Sequence, residues 1–301
     1  MVKKEQELKK IDFRDQISKN KIKSVFLLIT VFLVLILLGY IIAIAFALDV
    51  FMILILATVI SLVYVVITYS LSDKIALASV GAYSADNVKH KLLYDAVENM
   101  SLASGLPIPK VYVMPGNQIN AFAAGKNPQT SVVCVTEGAL EKLNKQELES
   151  VIGHEMSHIA NYDIRFVTIT AVVVGAISIF SQMFLRSLWF RSSDRDDNNG
   201  NIIFFLIAIV LAILAPIIVK LVQLAISRKR EYAADAGSVQ FTRYPPGLIN
   251  ALKKIDKDSE ELKVPGAVAP MFFSDTTKRR FVELFQTHPT IQKRIQALES
   301  M

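Results

Sequence analysis

Between Ser24 and Leu48, and again between Val50 and Tyr69, the chain carries no charged residue, and only Asp49 separates the two runs. At a rise of about 1.5 Å per residue, each run is long enough to cross the hydrocarbon core of a bilayer, about 30 Å thick, as an α-helix. In lipid a backbone must satisfy its own polar groups, so helices joined in a tight transmembrane hairpin are the expected form. Two later apolar runs, Phe166 to Leu185 and Ile202 to about Ile226, bring the expected spans to four. The last is interrupted by Pro216 and Lys220, so a pair of buried helices within a soluble domain is the alternative. Hydrophobic residues make up 52% of the chain and mean hydropathy is +0.42, concentrated in these blocks, which excludes an ordinary water-soluble domain.

Lys3, Lys4, Lys9, Lys10, Arg14, Lys19, Lys21 and Lys23 precede the first run. The positive-inside rule places them in the cytoplasm, and an even number of crossings returns the chain there. The first run is too long for a signal peptide and lacks a small-residue cleavage site, so an uncleaved anchor is expected. The resulting division is a basic cytoplasmic segment at 1–23, a transmembrane hairpin at 24–71, and a domain at 72–301 interrupted by the second apolar hairpin at 166–226. The net charge of +6 and pI near 9.2 are concentrated beside these runs, where basic residues meet anionic lipid; no nucleic-acid-binding module is recognisable. The expected partners are the lipid bilayer and a substrate, not nucleic acid. Cys134, the sole cysteine, permits no intramolecular disulfide and no cysteine-ligated metal, and it reads as a small buried residue.

His154-Glu155-Met156-Ser157-His158 carries the chemistry. On a helix, residues four apart share a face, so His154 and His158 can direct ring nitrogens at one tetrahedral ion while Glu155 stands beside it without coordinating. A carboxylate so placed can take a proton from water whose pKa a metal lowers from about 16 to about 7, the arrangement of a metal-assisted hydrolase. A catalytic zinc usually takes three protein ligands, and two histidines with a glutamate is a recurrent set. Within Arg230-Glu231-Tyr232-Ala233-Ala234-Asp235, Glu231 is the expected third ligand. Asp235, one turn further on, is expected to hold the other ring nitrogen of a ligand histidine. His158 lies just before the third apolar run and Glu231 just after the fourth, so they meet only if that pair returns the chain to its starting side.

The remaining segments suggest a compact α+β domain. Lys74 to Ser101 has helical spacing without proline; Val111 to Met114 and Val132 to Val135 are short apolar runs bounded by Pro, Gly and Asn, as buried strands are. Asn144 followed by Glu147 caps a helix that carries the histidine motif. Asp163 reads as structural, pairing with Arg165 or a helix end, and His90, flanked by Lys89 and Lys91, as a surface residue. Asp256 to Ser274, with Pro265, Gly266 and Pro270, reads as a long loop.

These residues, with Asn161 and Asp163, Asn120-Ala121-Phe122-Ala123, and Thr287-His288-Pro289 with Arg294, resemble the HtpX-type membrane zinc metalloproteases of peptidase family M48 and, more distantly, the CAAX prenyl proteases. The resemblance runs from roughly residue 70 to the C-terminus in the family's order. It implies an α+β, mainly helical membrane protein in which a zinc metalloprotease domain with a small β-sheet joins four transmembrane helices. It further implies one Zn2+ per chain, a multi-pass place in a bacterial plasma membrane with the catalytic domain facing the cytoplasm, and turnover of misfolded or membrane proteins under stress. Asn120, Ala121 and Phe122 would then form an edge strand that pairs with an extended substrate; without the resemblance the segment reads as a loop. His288 or Arg294 would stabilise the oxyanion, or, for His288, simply begin the last helix. A CAAX-type or peptide-processing protease, and a membrane metal-binding scaffold without turnover, are the alternatives. A transport role would call for more ionisable residues in the apolar runs than Lys220.

Overall fold

The computed structural model describes residues 13–45, 48–175, 228–258, 262–265, 268–274 and 289–301. The first two expected spans are helices. α1 covers Phe13–Ala45 and α2 covers Val50–Ser79, and both are long and apolar enough to cross a membrane. Their apolar side chains point largely outward: Phe26, Phe51, Met52 and Leu62 are all exposed, which fits lipid and not water. Asp49 makes the hairpin turn by capping α2, its carboxylate accepting the Met52 N–H at 2.7 Å. Close to this turn the helices approach through small residues, for a Cβ on Gly39 would lie 2.5 Å from that of Ala57. The third run begins as expected with a helix at 163–175, here α6; the rest of that run and all of the fourth lie outside the described residues.

The rest of the described chain is mainly helical, with a small mixed sheet. Its strands are β1 (Tyr83–Ser84), β2 (Lys110–Met114), β3 (Ala121–Ala124) and β4 (Val132–Thr136), in the order β1-β2-β4-β3. β2 and β4 run parallel, with Tyr112 opposite Cys134, while β1 and β3 pair antiparallel on the outsides. Both faces are covered, so β2 and β4 read as unbroken apolar runs. Val111, Val113, Ala121, Ala123, Val133 and Val135 face a core shared with helices α3 (Lys91–Ser104) and α5 (Lys145–Ala160). Met114, Phe122, Ala124 and Cys134 face the end of α2, at Ala76 and Leu77, together with Leu262, Met271 and Phe272. After the short α4 (Glu137–Lys142), the helices α7 (Arg228–Thr242), α8 (Pro245–Lys257) and α9 (Ile291–Glu299) complete the domain.

Three expectations change here. The helix expected over Lys74 to Ser101 is broken: α2 runs on to Ser79, Gly81 turns the chain at φ 66°, and β1 intervenes before α3. Asp86 then holds a local turn, its carboxylate accepting from the Val88 and Lys89 N–H groups, a competition with helix that residue spacing does not reveal. His90 is buried and not at the surface; it stands at the start of α3, where its Nδ1 accepts the Asp86 N–H at 3.0 Å. Of the expected loop from Asp256 to Ser274, the described part is anchored, with Leu262, Val268, Met271, Phe272 and Phe273 all buried.

Cys134 sits in the central strand β4, and burial raises the pKa of its thiol well above the ordinary cysteine value. A water-soluble thiol reagent is therefore expected to label it only when the domain unfolds; labelling of the native protein at the rate of a free thiol would show that β4 is not buried.

Candidate metal centre

The helix that carries His154 and His158 is held at its start by a capping box. The Asn144 side chain accepts the Glu147 N–H at 3.0 Å, and the Glu147 carboxylate accepts the Asn144 N–H at 2.8 Å. Lys254 of α8 adds an ion pair to Glu147 at 2.7 Å. Downstream, Leu148, Val151, Ile152, Met156 and Ile159 are buried against the sheet and α3, leaving the histidines on the opposite side.

Against that side lies α7. Glu231, Ala234, Asp235 and Ser238 form a buried stripe at helical spacing, and small residues let the two helices close. A side chain at Gly237 would collide with Ser157, and Ser238 Oγ donates to the Ser150 carbonyl at 2.6 Å. This crossing brings Glu231 to the histidines. His154 Nε2 and His158 Nε2 stand 3.2 Å apart, and the Glu231 carboxylate oxygens lie 3.8 Å from the first and 3.6 Å from the second. Ligands about 2.0–2.1 Å from a tetrahedral ion are separated by about 3.3 Å, so the triangle has the dimensions of a metal site. It is the one group of its kind among the described residues.

Each histidine has a carboxylate behind it. Asp235 Oδ1 lies 2.9 Å from His154 Nδ1 and Asp163 Oδ2 lies 3.1 Å from His158 Nδ1, so each Nδ1–H is held as a donor and each Nε2 lone pair points into the triangle. Asp235 thus stands where the spacing predicts. Asp163 does not pair with Arg165, which lies over the Tyr69 ring; it supports His158 and has the Arg230 guanidinium 3.6 Å away. Its position five residues past His158, beyond the helix end, gives no periodic signal; the feature in the sequence that could have pointed to it is its nearness to the motif.

The electrostatics favour a cation at the triangle. Burial lowers the pKa of His154 to about 4, its bond to Asp235 notwithstanding. Burial also disfavours charge on His158, but Asp163 and then Glu231 outweigh it and raise that pKa to about 9. Asp235 is opposed by burial yet held below the ordinary carboxylate range by the Arg294 guanidinium and by His154.

Arg294, expected at the oxyanion, is fully buried on the Nδ1 side of the His154 ring. Its Nη2 and Nε donate to Asp235 at 2.6 and 2.9 Å, Nη1 donates to the Phe273 carbonyl at 3.0 Å, and its plane lies over the Phe273 ring. There it orders a ligand's support; its N–H groups are not turned to the Nε2 side. His288 lies outside the described residues. Glu155 is buried at 2% exposure next to His154, and the open side of the site is at His158 and Glu231, whose side chains are 16% and 11% exposed.

β3 is the outer strand of the sheet and holds Ala121 and Phe122, with Asn120 just before it, yet it is not an exposed edge. The chain's own Phe272 pairs antiparallel with Phe122, and the Phe273 N–H donates to the Ala121 carbonyl at 2.8 Å. The Asn120 side chain extends this pairing, accepting the Ser274 N–H and donating to the Ser274 carbonyl, both at 3.1 Å. The Phe273 ring then meets His154 edge-on, with centroids 4.7 Å apart.

Residues 87–301 match the profile of Peptidase family M48. The chain belongs to that family. It is 42% identical over 288 residues to a protease HtpX homologue of Thermoanaerobacter pseudethanolicus, covering 94% of this chain and 96% of the relative. It is 41% identical over 296 residues to one of Streptococcus pneumoniae, covering 95% and 99%. A crystal structure of S. mikatae Ste24p aligns with a TM-score of 0.48 at 19% identity, over 95% of this chain and 67% of that one. M48 membership makes this chain a metalloprotease, and its two apolar helices are consistent with membrane association.

Breaking the Asp235–Arg294 pair from one side leaves a buried charge. Arg294→Met is expected to destabilise the fold by about 3–5 kcal/mol. Adding Asp235→Leu should recover part of that loss, as read by thermal unfolding in detergent; a double variant whose loss equals the sum of the two would show that the residues are not coupled.

Proposed function

We propose that this M48 metalloprotease is a zinc-dependent endopeptidase that hydrolyses misfolded or membrane proteins at the cytoplasmic face of a bacterial plasma membrane. The observation that carries the reading is the His154–His158–Glu231 triangle with a buried glutamate next to His154 in the same helix. A zinc ion held by those three side chains would polarise the scissile carbonyl and make an attacking water more acidic. Glu155 accepts the proton of that water and delivers it to the departing amine, and the fixed rotamers of His154 and His158 require no rearrangement during the reaction. Nitrogen and carboxylate ligands favour zinc here, and no cysteine stands among them.

Orientation follows from charge. Lys19, Lys21 and Lys23 lie at the start of α1, and Asn20 in their midst is hydrogen-bonded beside the metal triangle, so the site and the basic segment share one side of the membrane. That side is the cytoplasm by the positive-inside rule, with α6 entering the bilayer as the third of four spans. An extended substrate can pair with Asn120, Ala121 and Phe122 only after residues 272–274 leave that edge. The relatives named protease HtpX homologue support proteolysis as the activity, and the role proposed for it is turnover of damaged proteins under stress.

Glu155→Gln is expected to keep stoichiometric zinc while casein cleavage by the detergent-purified protein falls by at least about 100-fold. Cleavage at the parent rate would refute the assignment of Glu155. Metal retained with no cleavage by any form, the parent included, would make the protein a metal-binding scaffold.

A further inference from the structure

The N-terminal membrane helix reaches into the support of the metal triangle. Asn20 of α1 is 2% exposed, and its Nδ2 donates to Asp163 Oδ1 at 2.7 Å and to the Asn161 carbonyl at 3.1 Å. Asp163 uses its other oxygen to hold His158 Nδ1. A continuous path of hydrogen bonds therefore runs from the start of α1, through one carboxylate, to a ligand histidine.

The surroundings hold this contact in register. Residues 161–162 form the turn between α5 and α6, with Asp163 the first residue of α6, and within the turn Tyr162 adopts φ 56°, a left-handed conformation that a bulky residue rarely takes without outside support. Lys21, the next residue of α1, places its ammonium 4.4 Å from the centre of the Tyr162 ring. Ser24 and Leu27 continue the same face of α1, both buried, and Leu27 joins Phe166, Ile169 and Val173 of α6. α1 thus runs along α6 and presents to the turn an amide whose two hydrogens satisfy one carbonyl and one carboxylate oxygen.

We propose that Asn20 is a positioning residue of the metal centre, acting through Asp163 on the orientation and basicity of His158, so that the first membrane helix is part of the enzyme and not merely its anchor. The proposal rests on the metal-site reading above. Partners of this kind behind a ligand histidine typically change metal affinity by about 10–100-fold. Removing the amide frees Asp163 to turn and the 161–162 turn to relax, and both loosen His158. Arg230 remains near Asp163 and keeps part of its position, so the lower end of that range is expected.

The test is zinc affinity of the full-length protein in detergent, by chelator competition, with the visible spectrum of the Co2+ form as a second readout of ligand geometry. Asn20→Ala is expected to weaken zinc binding about tenfold and to shift the cobalt bands. Asn20→Asp, equal in volume, should do at least as much, because it places a carboxylate against Asp163 in place of a donor. In an Asp163→Asn background, Asn20→Ala should change the affinity by less than about twofold, since its route to His158 is already cut. Leu27→Ala, which loosens the same helix contact without touching the hydrogen bonds, should lower the thermal midpoint and leave zinc affinity near the parent value. If Asn20→Ala and Asn20→Asp bind zinc as the parent does, or if the loss is equal in both backgrounds, Asn20 serves packing alone and the proposal falls. A parent that takes up no zinc would overturn the metal-site reading, and this proposal with it.

Discussion

The close crossing of α5 and α7 is the contact on which the rest of the molecule depends. Gly237 against Ser157, and Ser238 against the Ser150 carbonyl, let the helices approach until Glu231 and Asp235 stand at the face that carries His154 and His158. A larger side chain in this seam would move Glu231 away from the triangle and separate Asp235 from His154 together, because both acids ride on the same helix one turn apart. The capping box of α5 and the packing of its apolar side on the sheet then hold the other half of the seam in place.

Around this seam the charges are arranged in depth. Glu231 and the paired imidazoles make a place for a cation; each imidazole is backed by an aspartate, and each aspartate by an arginine, Arg294 for Asp235 and Arg230 for Asp163. Such a stack is tolerable in a buried setting only because each ionised group has an opposite neighbour and hydrogen bonds with which to satisfy it. It also makes the two histidines unlike, since burial lowers the pKa of His154 while the carboxylate neighbours of His158 raise its pKa.

The sheet serves the site at one remove. β3 lies beside α5, and the outer side of β3 is occupied by Phe272, Phe273 and Ser274, which reach the back of His154 through the Phe273 ring and Arg294 through the Phe273 carbonyl. Strand edge, C-terminal helix and His154 are thereby tied in one cluster, and the N-terminal apolar hairpin is tied to the other histidine through Asn20 and Asp163. The two histidines of α5 are thus supported from opposite ends of the chain.

The sequence by itself determined whatever repeats over a few residues. Charge-free runs specified α1 and α2, the four-residue spacing placed His154 and His158 on one face, unbroken valine-rich stretches marked β2 and β4, and Asn144 with Glu147 announced the start of α5. Ligand chemistry added Glu231, and helical spacing added Asp235. Only the tertiary structure decided what is joined across long separations: Asn20 with Asp163, 143 positions apart, Arg294 with Asp235, 59 apart, and Asn120 with Ser274, 154 apart. It also buried His90 behind a local turn and laid 272–274 along β3. Periodicity is written into neighbouring residues because a helix or strand repeats its geometry every few positions. A hydrogen bond between remote side chains leaves no such trace, since its partners become neighbours only when the helices have packed.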